Sequence, residues 1–200
     1  MINENFIYLG ILLSSIGSIS YIVDTFKGRA KPNRVSFFLW ALAPFIAFFS
    51  EIKQGVGIQS LLTFFVGFWS VLVLLASFAN KKAEWKLTSF DLICGALSLL
   101  GLVLWMVTKV GNIAIIFSIM ADGLAAFPTV KKSYYFPETE TIWPYLTGLI
   151  YSGITILTIK TWSFAYFGFP IYLFFVNLIL TFLIQLNFKK VFKKKRKKSP

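Results

Sequence analysis

The sequence contains no histidine and only one cysteine, Cys94. The missing histidine excludes histidine-based metal sites and Ser-His-Asp triads, and a lone cysteine excludes an intramolecular disulfide. Charged residues are also scarce, because they form 14% of the chain whereas a water-soluble domain keeps about 25%. The chain therefore lacks the polar side chains that would cover a soluble surface.

Hydrophobic residues take the place of the missing charges. They form 57% of the 200 residues, and the mean hydropathy is +0.74. A helix crosses a membrane with about 20 apolar residues, and the sequence has seven such runs. The predicted helices cover residues 6–24, 35–52, 57–79, 89–108, 112–130, 141–159 and 166–188. The runs do not alternate, so membrane strands are the weaker interpretation, and the sequence predicts an all-α membrane protein.

The N-terminal run is interpreted as a retained helix rather than a signal peptide. No basic residue precedes it, and a small-x-small cleavage pattern is missing.

Basic residues are concentrated in every second connection. Three lie in the other connections: Lys53, Lys109 and Lys160. Seventeen of the twenty lie in the first, third and fifth connections or the tail: Lys27, Arg29, Lys31, Arg34, Lys81, Lys82, Lys86, Lys131, Lys132, Lys189, Lys190, Lys193, Lys194, Lys195, Arg196, Lys197 and Lys198. Because positive charge stays cytoplasmic, we expect the N-terminus outside, the C-terminus in the cytoplasm and an odd number of helices. The expected location is the plasma membrane.

The tail, "FKKVFKKKRKKSP", is typical of a cytoplasmic anchor that lies near anionic lipid. Binding of RNA is the weaker alternative for such a basic run, and no nucleic acid partner is expected.

The chain shows signs of an internal repeat. The stretch "YIVDTFKGRAKPNRVSFFLW" after the first helix is similar to "AAFPTVKKSYYFPETETIWPY" after the fifth, with Thr25 against Thr129 and Lys27 against Lys131. The charge pattern gives both units the same orientation, so one helix must invert the chain between them. The predicted organisation is 3+1+3: a three-helix repeat over 1–86, a linker helix over 87–111, a second three-helix repeat over 112–188 and a polybasic tail over 189–200.

This arrangement, with a basic loop, a proline and a Ser or Thr before the next helix in each unit, resembles the SWEET/SemiSWEET and PQ-loop (MtN3-like) superfamily. The family's Pro-Gln dipeptide is absent: the second unit has Pro128-Thr129, and the first has Asp24-Thr25. Members of that superfamily carry sugars or amino acids by alternating access, so the resemblance implies a pathway between the two three-helix units, but it does not imply a sugar. Parallel repeats by themselves also predict a site at their interface near the membrane midplane.

Asp122 lies inside the apolar run "SIMADGLAAFPTVKK", about 15 Å from the outer end of the predicted fifth helix. A carboxylate at that depth costs about 2.5–3.5 kcal/mol, so we expect it to face a cavity or a partner. The functional interpretation is a substrate-binding or proton-coupled group. The structural alternative is a hydrogen bond across helices to Ser, Thr or Asn.

Asn177 and Trp69 are the other predicted substrate-binding residues. Aligning the two units places Trp69 in the third helix against Asn177 in the seventh. The resemblance implies that an asparagine at this place faces the pocket, which carries over to Asn177 but not to Trp69. An amide and an indole suit a ligand with hydroxyls and an apolar face, whereas the structural alternative is an asparagine that ties two helices together.

Three prolines fall within predicted helices and are candidate hinges: Pro44, Pro128 and Pro170. Each removes a backbone hydrogen bond and bends its helix, as a rocking bundle would require. Proline is also common in membrane helices that do not move.

No Gly-x-Ser-x-Gly stretch or Walker loop is present, and no second carboxylate is predicted near Asp122, so no enzyme activity, cofactor or metal is expected. The sequence favours a transporter of a small polar solute, with proton coupling as one form of it. A seven-helix receptor or sorting protein that binds a ligand without moving it is the alternative. Either class is compatible with a homo-oligomer.

Overall fold

The computed structural model describes residues 2–83, 85–108 and 111–196. Within these ranges the chain forms seven α-helices: α1 (Phe6–Phe26), α2 (Arg34–Lys53), α3 (Leu61–Ala79), α4 (Ser89–Thr108), α5 (Gly111–Tyr135), α6 (Trp143–Thr158) and α7 (Phe164–Arg196). Short 3-10 turns occur at Ile58–Ser60, Lys81–Ala83 and Pro137–Thr139. These ranges contain no strand, so the all-helical prediction is confirmed.

Five helical segments are long and apolar enough to cross a membrane: Phe6–Phe26, Arg34–Lys53, Ile58–Ala79, Gly111–Tyr135 and Phe164–Leu186. The helix α6 has 16 residues and is therefore about 24 Å long. The helix α4 has 20 residues, and its segment Ser89–Leu100 is apolar. The helices are compatible with a multi-pass membrane protein, and the two further crossings stay predictions.

The two faces of α1 show which solvent surrounds the bundle. Its outward face is large and apolar, and its inward face is small or polar. The exposed side chains are Tyr8, Leu12, Ile16, Ile19 and Val23, and the buried residues include Gly10, Ser14, Gly17, Ser18, Tyr21 and Thr25. A helix on the surface of a water-soluble protein has the opposite pattern. The reversal indicates that α1 faces lipid.

The helices make the same contacts in each half of the chain. In the first half α3 packs against both α1 and α2, and in the second half α7 packs against both α5 and α6. The halves meet where α1 packs on α6 and α2 packs on α5, which closes these six helices into a ring. The helix α4 packs against α5 and, less extensively, against α2.

The connections after α1, α3 and α5 meet at one end of the bundle, which we call the basic end. There the Asn80 amide donates to the carbonyl of Phe26 at 2.6 Å, and the backbone N–H of Lys31 donates to the carbonyl of Thr139 at 3.0 Å. Gly28 turns the chain after α1 with a φ of 70°, which favours glycine. The basic loops therefore gather as the charge pattern requires.

At the opposite end, the chain before α1 meets the end of α6, and the start of α7 meets the α2–α3 connection. The backbone N–H of Ile2 donates to the carbonyl of Leu157 at 3.0 Å, and the Tyr166 hydroxyl donates to the carbonyl of Gly55 at 2.8 Å. Which end faces the cytoplasm stays a prediction.

Two helices extend at least five residues beyond their predicted C-terminal ends. The helix α5 continues to Tyr135, so Lys131 and Lys132 are helical rather than part of a loop. It ends there because Phe136 precedes Pro137, and a residue before proline avoids the helical conformation. The helix α7 continues to Arg196, into the predicted tail. Residues 197–200 of that tail, and Lys109, lie outside the described residues.

The three predicted hinge prolines all lie inside helices. Pro44 is in α2, Pro128 is in α5 and Pro170 is in α7, and all three are buried. Each helix continues past its proline. Hinge motion at these positions stays a prediction.

The contact between α1 and α6 depends on two glycines. A Cβ at Gly17 would lie 2.1 Å from the Thr147 hydroxyl oxygen and 2.7 Å from the backbone oxygen of Trp143. A Cβ at Gly10 would lie 2.1 Å from the Tyr151 ring. Small residues let membrane helices approach closely, so these glycines set the distance between the two halves.

We expect Gly17→Ala to lower the free energy of unfolding by about 1–3 kcal/mol, because the methyl group meets backbone that cannot rotate away. Thermal unfolding of the purified protein in detergent measures the change. Gly153→Ala in α6 is the matched control, since a Cβ there meets only the Phe174 ring at 3.6 Å. Equal melting temperatures for the two variants would contradict the close α1–α6 contact.

Candidate functional site

A cavity of about 110 Å³ lies inside the helix ring and is lined by side chains from α1, α2, α3, α5, α6 and α7. The described residues of α4 do not contribute to its wall. Asp122, Asn177 and Trp69 all line it. The structure therefore brings the three predicted substrate-binding residues together, although it does not test whether they bind a substrate.

Asp122 is 1% exposed and makes two contacts with neighbouring helices. The Tyr172 hydroxyl on α7 donates to its Oδ2 at 2.6 Å, and the Trp40 indole on α2 donates to its backbone oxygen at 3.2 Å. The second carboxyl oxygen, Oδ1, is buried and has no hydrogen-bond partner in the protein. A buried polar atom without a partner costs about 1–3 kcal/mol, so Oδ1 is a ready acceptor for a bound solute.

Two further residues of the cavity lining carry a buried polar atom without a partner. They are the indole Nε1 of Trp69 on α3 and the hydroxyl of Tyr151 on α6. The indole can only donate, and the hydroxyl can donate or accept. Together with Asp122 Oδ1, these atoms provide an acceptor, a donor and a hydroxyl from three different helices that line the same cavity.

Asn177 has contacts on two sides. It lines the cavity from α7, and its amide group donates to the carbonyl of Leu173 at 2.9 Å. It also lies against Gly148 of α6, where a Cβ would approach its amide nitrogen to 3.0 Å. The amide N–H is therefore partly used within α7, and the glycine is what lets α6 approach this side chain.

Aromatic rings form much of the remaining wall. The lining includes Tyr21, Phe37, Trp40, Phe65, Trp69, Tyr145 and Tyr151. Some of these rings pack against each other: Tyr21 and Phe37 have centroids 5.4 Å apart, and Phe37 and Trp40 form an edge-to-face pair at 5.2 Å. The described lining contains no lysine or arginine, and Asp122 is its acidic residue.

A buried polar cluster lies beside the cavity, on the side of the basic end. Lys132 and Glu140 form an ion pair of 2.6 Å, and their side chains are 1% and 0% exposed. Glu140 Oε2 accepts hydrogen bonds from the hydroxyls of Tyr21 at 2.8 Å and Tyr145 at 3.2 Å. Lys132 also donates to the backbone carbonyl of Lys31. We call these five residues the Lys132–Glu140 cluster.

The Lys132–Glu140 cluster joins the two halves of the molecule. Tyr21 belongs to α1 and Lys31 to the α1–α2 connection, whereas Glu140 and Tyr145 belong to the second half. Tyr21 and Tyr145 also line the cavity, so the cluster borders it.

A second bond near the cluster joins the same halves. The Thr141 hydroxyl donates to the Asp24 carboxylate at 2.8 Å. The Trp85 ring covers the lysine, with its centroid 5.0 Å from Lys132 Nζ. The described residues contain no group of three His, Cys, Asp or Glu side chains that would hold a metal ion.

The sequence did not reveal the partners that define the site. The charge pattern places Lys132 in a loop, and nothing in the sequence pairs it with Glu140 or pairs Tyr172 with Asp122. The one available signal was an acidic residue inside a basic connection, since Glu138 and Glu140 interrupt the positive charge there.

No protein-family model, curated protein or solved structure matches this chain. Its function is therefore inferred from the cavity and the contacts around it.

Proposed function

We propose that this chain is a membrane transporter for a small polar solute, with a SWEET-like 3+1+3 arrangement that works by alternating access. The repeated contact order of the helices supports the arrangement. In each proposed repeat the third helix packs between the other two, and α4 is free to act as the inverting linker because it lies outside the ring.

The observation that carries the proposal is the cavity between the two halves. Residues from all six ring helices line it, and three of these residues carry a buried polar atom that has no partner in the protein. A cavity between parallel repeats is where alternating access places its solute.

The size of the cavity limits the solute. About 110 Å³ is less than the roughly 300–1,000 Å³ of pockets that hold drug-sized ligands. The solute is therefore small, and movement of the helices must provide its way in and out.

The contacts at the two ends differ in a way that suits alternation. The Lys132–Glu140 cluster closes the basic end with a buried ion pair. At the opposite end the halves are joined by neutral hydrogen bonds, including one from the Gln59 amide to the carbonyl of Thr158 at 3.4 Å, and by an exposed ion pair between Lys160 and Glu4 at 3.6 Å. Opening the basic end must break the Lys132–Glu140 ion pair. The two charges then lose their partners unless water enters and solvates them.

We further propose the orientation that the basic residues predict, with the N-terminus outside, the C-terminus cytoplasmic and the tail near anionic lipid in the plasma membrane. On this proposal the basic end is the cytoplasmic end, and the protein is not an enzyme.

Uptake into proteoliposomes tests the transport proposal. We expect saturable uptake or counterflow for at least one member of a panel of sugars, amino acids, amines and small vitamins, measured with and without a pH gradient. Reporter fusions at both termini establish the orientation of the protein in the vesicles. Glu138→Gln, which changes an exposed carboxylate outside the cavity, is the matched protein control, and empty vesicles are the blank.

Saturable binding without flux in either direction would contradict the transporter and favour the alternative, a seven-helix receptor or sorting protein. The cavity is compatible with that alternative. The buried Lys132–Glu140 cluster at the basic end favours transport, because a receptor does not need to close its binding site off from the other side of the membrane.

A further inference from the structure

We propose that the solute is a small organic cation, with an ammonium-type group set against Asp122 and an apolar body held between aromatic rings. This inference rests on the proposed function, since it names the solute class of the same cavity.

The charges around the cavity favour a cation. Asp122 is the acidic residue on the wall, and the described lining has no lysine or arginine to neutralise it. The nearest basic group in the closure, Lys132, is already paired with Glu140 and the carbonyl of Lys31. A carboxylate in a dry cavity attracts cations and repels anions, because low dielectric strengthens both effects.

One oxygen of the Asp122 carboxylate is available to bind the cation. Tyr172 occupies Oδ2, whereas Oδ1 is buried and has no partner. An ammonium N–H that donates to Oδ1 would satisfy this oxygen and gain the charge-assisted strength of such bonds.

The aromatic wall suits the rest of a cation. Trp40 and Trp69 contribute the ring type that attracts cations most strongly, and Tyr21, Phe37 and Tyr151 add further faces. These rings also provide an apolar surface for carbon atoms. The indole N–H of Trp69 has no partner, so we expect the solute to carry one acceptor, such as a hydroxyl, away from its charged group.

The unpartnered polar atoms of the cavity lining also disfavour a sugar as the solute. A monosaccharide has several hydroxyl groups that must all find partners when it leaves water, and each failure is costly. The unpartnered buried atoms on the described wall are Asp122 Oδ1, Trp69 Nε1 and the Tyr151 hydroxyl. Three such atoms suit one ammonium group and one acceptor better than a ring of hydroxyls.

Matched pairs of probes that differ in charge test the inference. The full chain is purified in detergent, and binding is measured by thermal stabilisation and by tryptophan fluorescence. The probes are 4-aminobutan-1-ol against pentan-1-ol, benzylamine against benzyl alcohol, and glucose. We expect at least one cation to bind about tenfold or more tightly than its neutral partner.

The charge preference should depend on Asp122 and on no other carboxylate. In Asp122→Asn it should fall to about twofold or less, and in Glu138→Gln it should remain. If Asp122→Asn does not fold, Asp122→Glu keeps the charge and should keep the preference. Trp69→Phe keeps an aromatic face and should weaken 4-aminobutan-1-ol more than benzylamine, since only 4-aminobutan-1-ol has a hydroxyl to accept from the indole.

Three results would overturn the inference: neutral partners or glucose bind as tightly as the cations, no cation binds up to the millimolar range, or the preference survives in a folded Asp122→Asn protein. Failure of the transport proposal is distinguishable from failure of this inference. Flux of neutral solutes without cation binding would leave transport standing, and cation binding without any flux would leave the cation site standing.

Discussion

Glu140→Gln is expected to lower the free energy of unfolding by about 3–5 kcal/mol, because it leaves the Lys132 ammonium buried without its counter-charge. Both side chains are inaccessible to water, so solvent cannot replace the lost carboxylate. The hydroxyls of Tyr21 and Tyr145 also lose a charged acceptor. Thermal or denaturant unfolding in detergent measures the effect. Glu138→Gln, two residues earlier and exposed, should change little.

The double variant Lys132→Met/Glu140→Gln separates the role in closure from the role in stability. It removes both charges, so we expect it to recover most of the stability that Glu140→Gln loses. With the ion pair gone, the basic end should open more often. A thiol introduced by Ser70→Cys on the cavity wall, with Cys94 replaced by alanine, should then react faster with a water-soluble maleimide.

Labelling of Ser70→Cys at the same rate with and without the ion pair would contradict the closure. It would leave the Lys132–Glu140 cluster as a structural link between the halves.

Depth in the membrane alone predicts where Asp122 points. A carboxylate in the middle of an apolar run is tolerated only when it faces away from lipid, so Asp122 had to point into the bundle. Trp69 and Asn177 were found by aligning the two proposed units, and both line the cavity with Asp122. Neither inference needed a knowledge of which helices touch.

The closure could not be predicted in the same way. A lysine after an apolar run is normally a sign that the membrane has ended, and Lys132 follows Lys131 in that position. It is buried because α5 continues to Tyr135 and the turn at Pro137–Thr139 returns Glu140 to it. Those are contacts between segments, and hydrophobic periodicity carries no information about them. The same holds for Tyr172, which reaches Asp122 from a helix 50 positions away in sequence.

Asp122→Asn is expected to abolish the dependence of uptake on a pH gradient while the protein stays folded. The amide is nearly isosteric with the carboxyl group, and its oxygen can still accept the bond from Tyr172. The amide does not bind or release a proton, so solute transport that is coupled to protonation of Asp122 would lose that coupling. For solutes that Asp122 contacts directly, we expect the uptake rate to fall about tenfold or more, since the lost bond to a charged group is worth about 1.5–3 kcal/mol.

Asp122→Leu distinguishes a role in transport from a role in structure. It removes the acceptor for Tyr172 as well as the free oxygen Oδ1, so uptake should be lost whether or not protons are coupled. If Asp122 acts on the solute, Asp122→Asn should lose transport or its pH dependence with a melting temperature close to that of the unmodified protein. If Asp122 only holds α5 to α7, both variants should lose stability in step with flux. Normal uptake with normal pH dependence in a folded Asp122→Asn protein would show that this carboxyl group neither couples protons nor binds the solute.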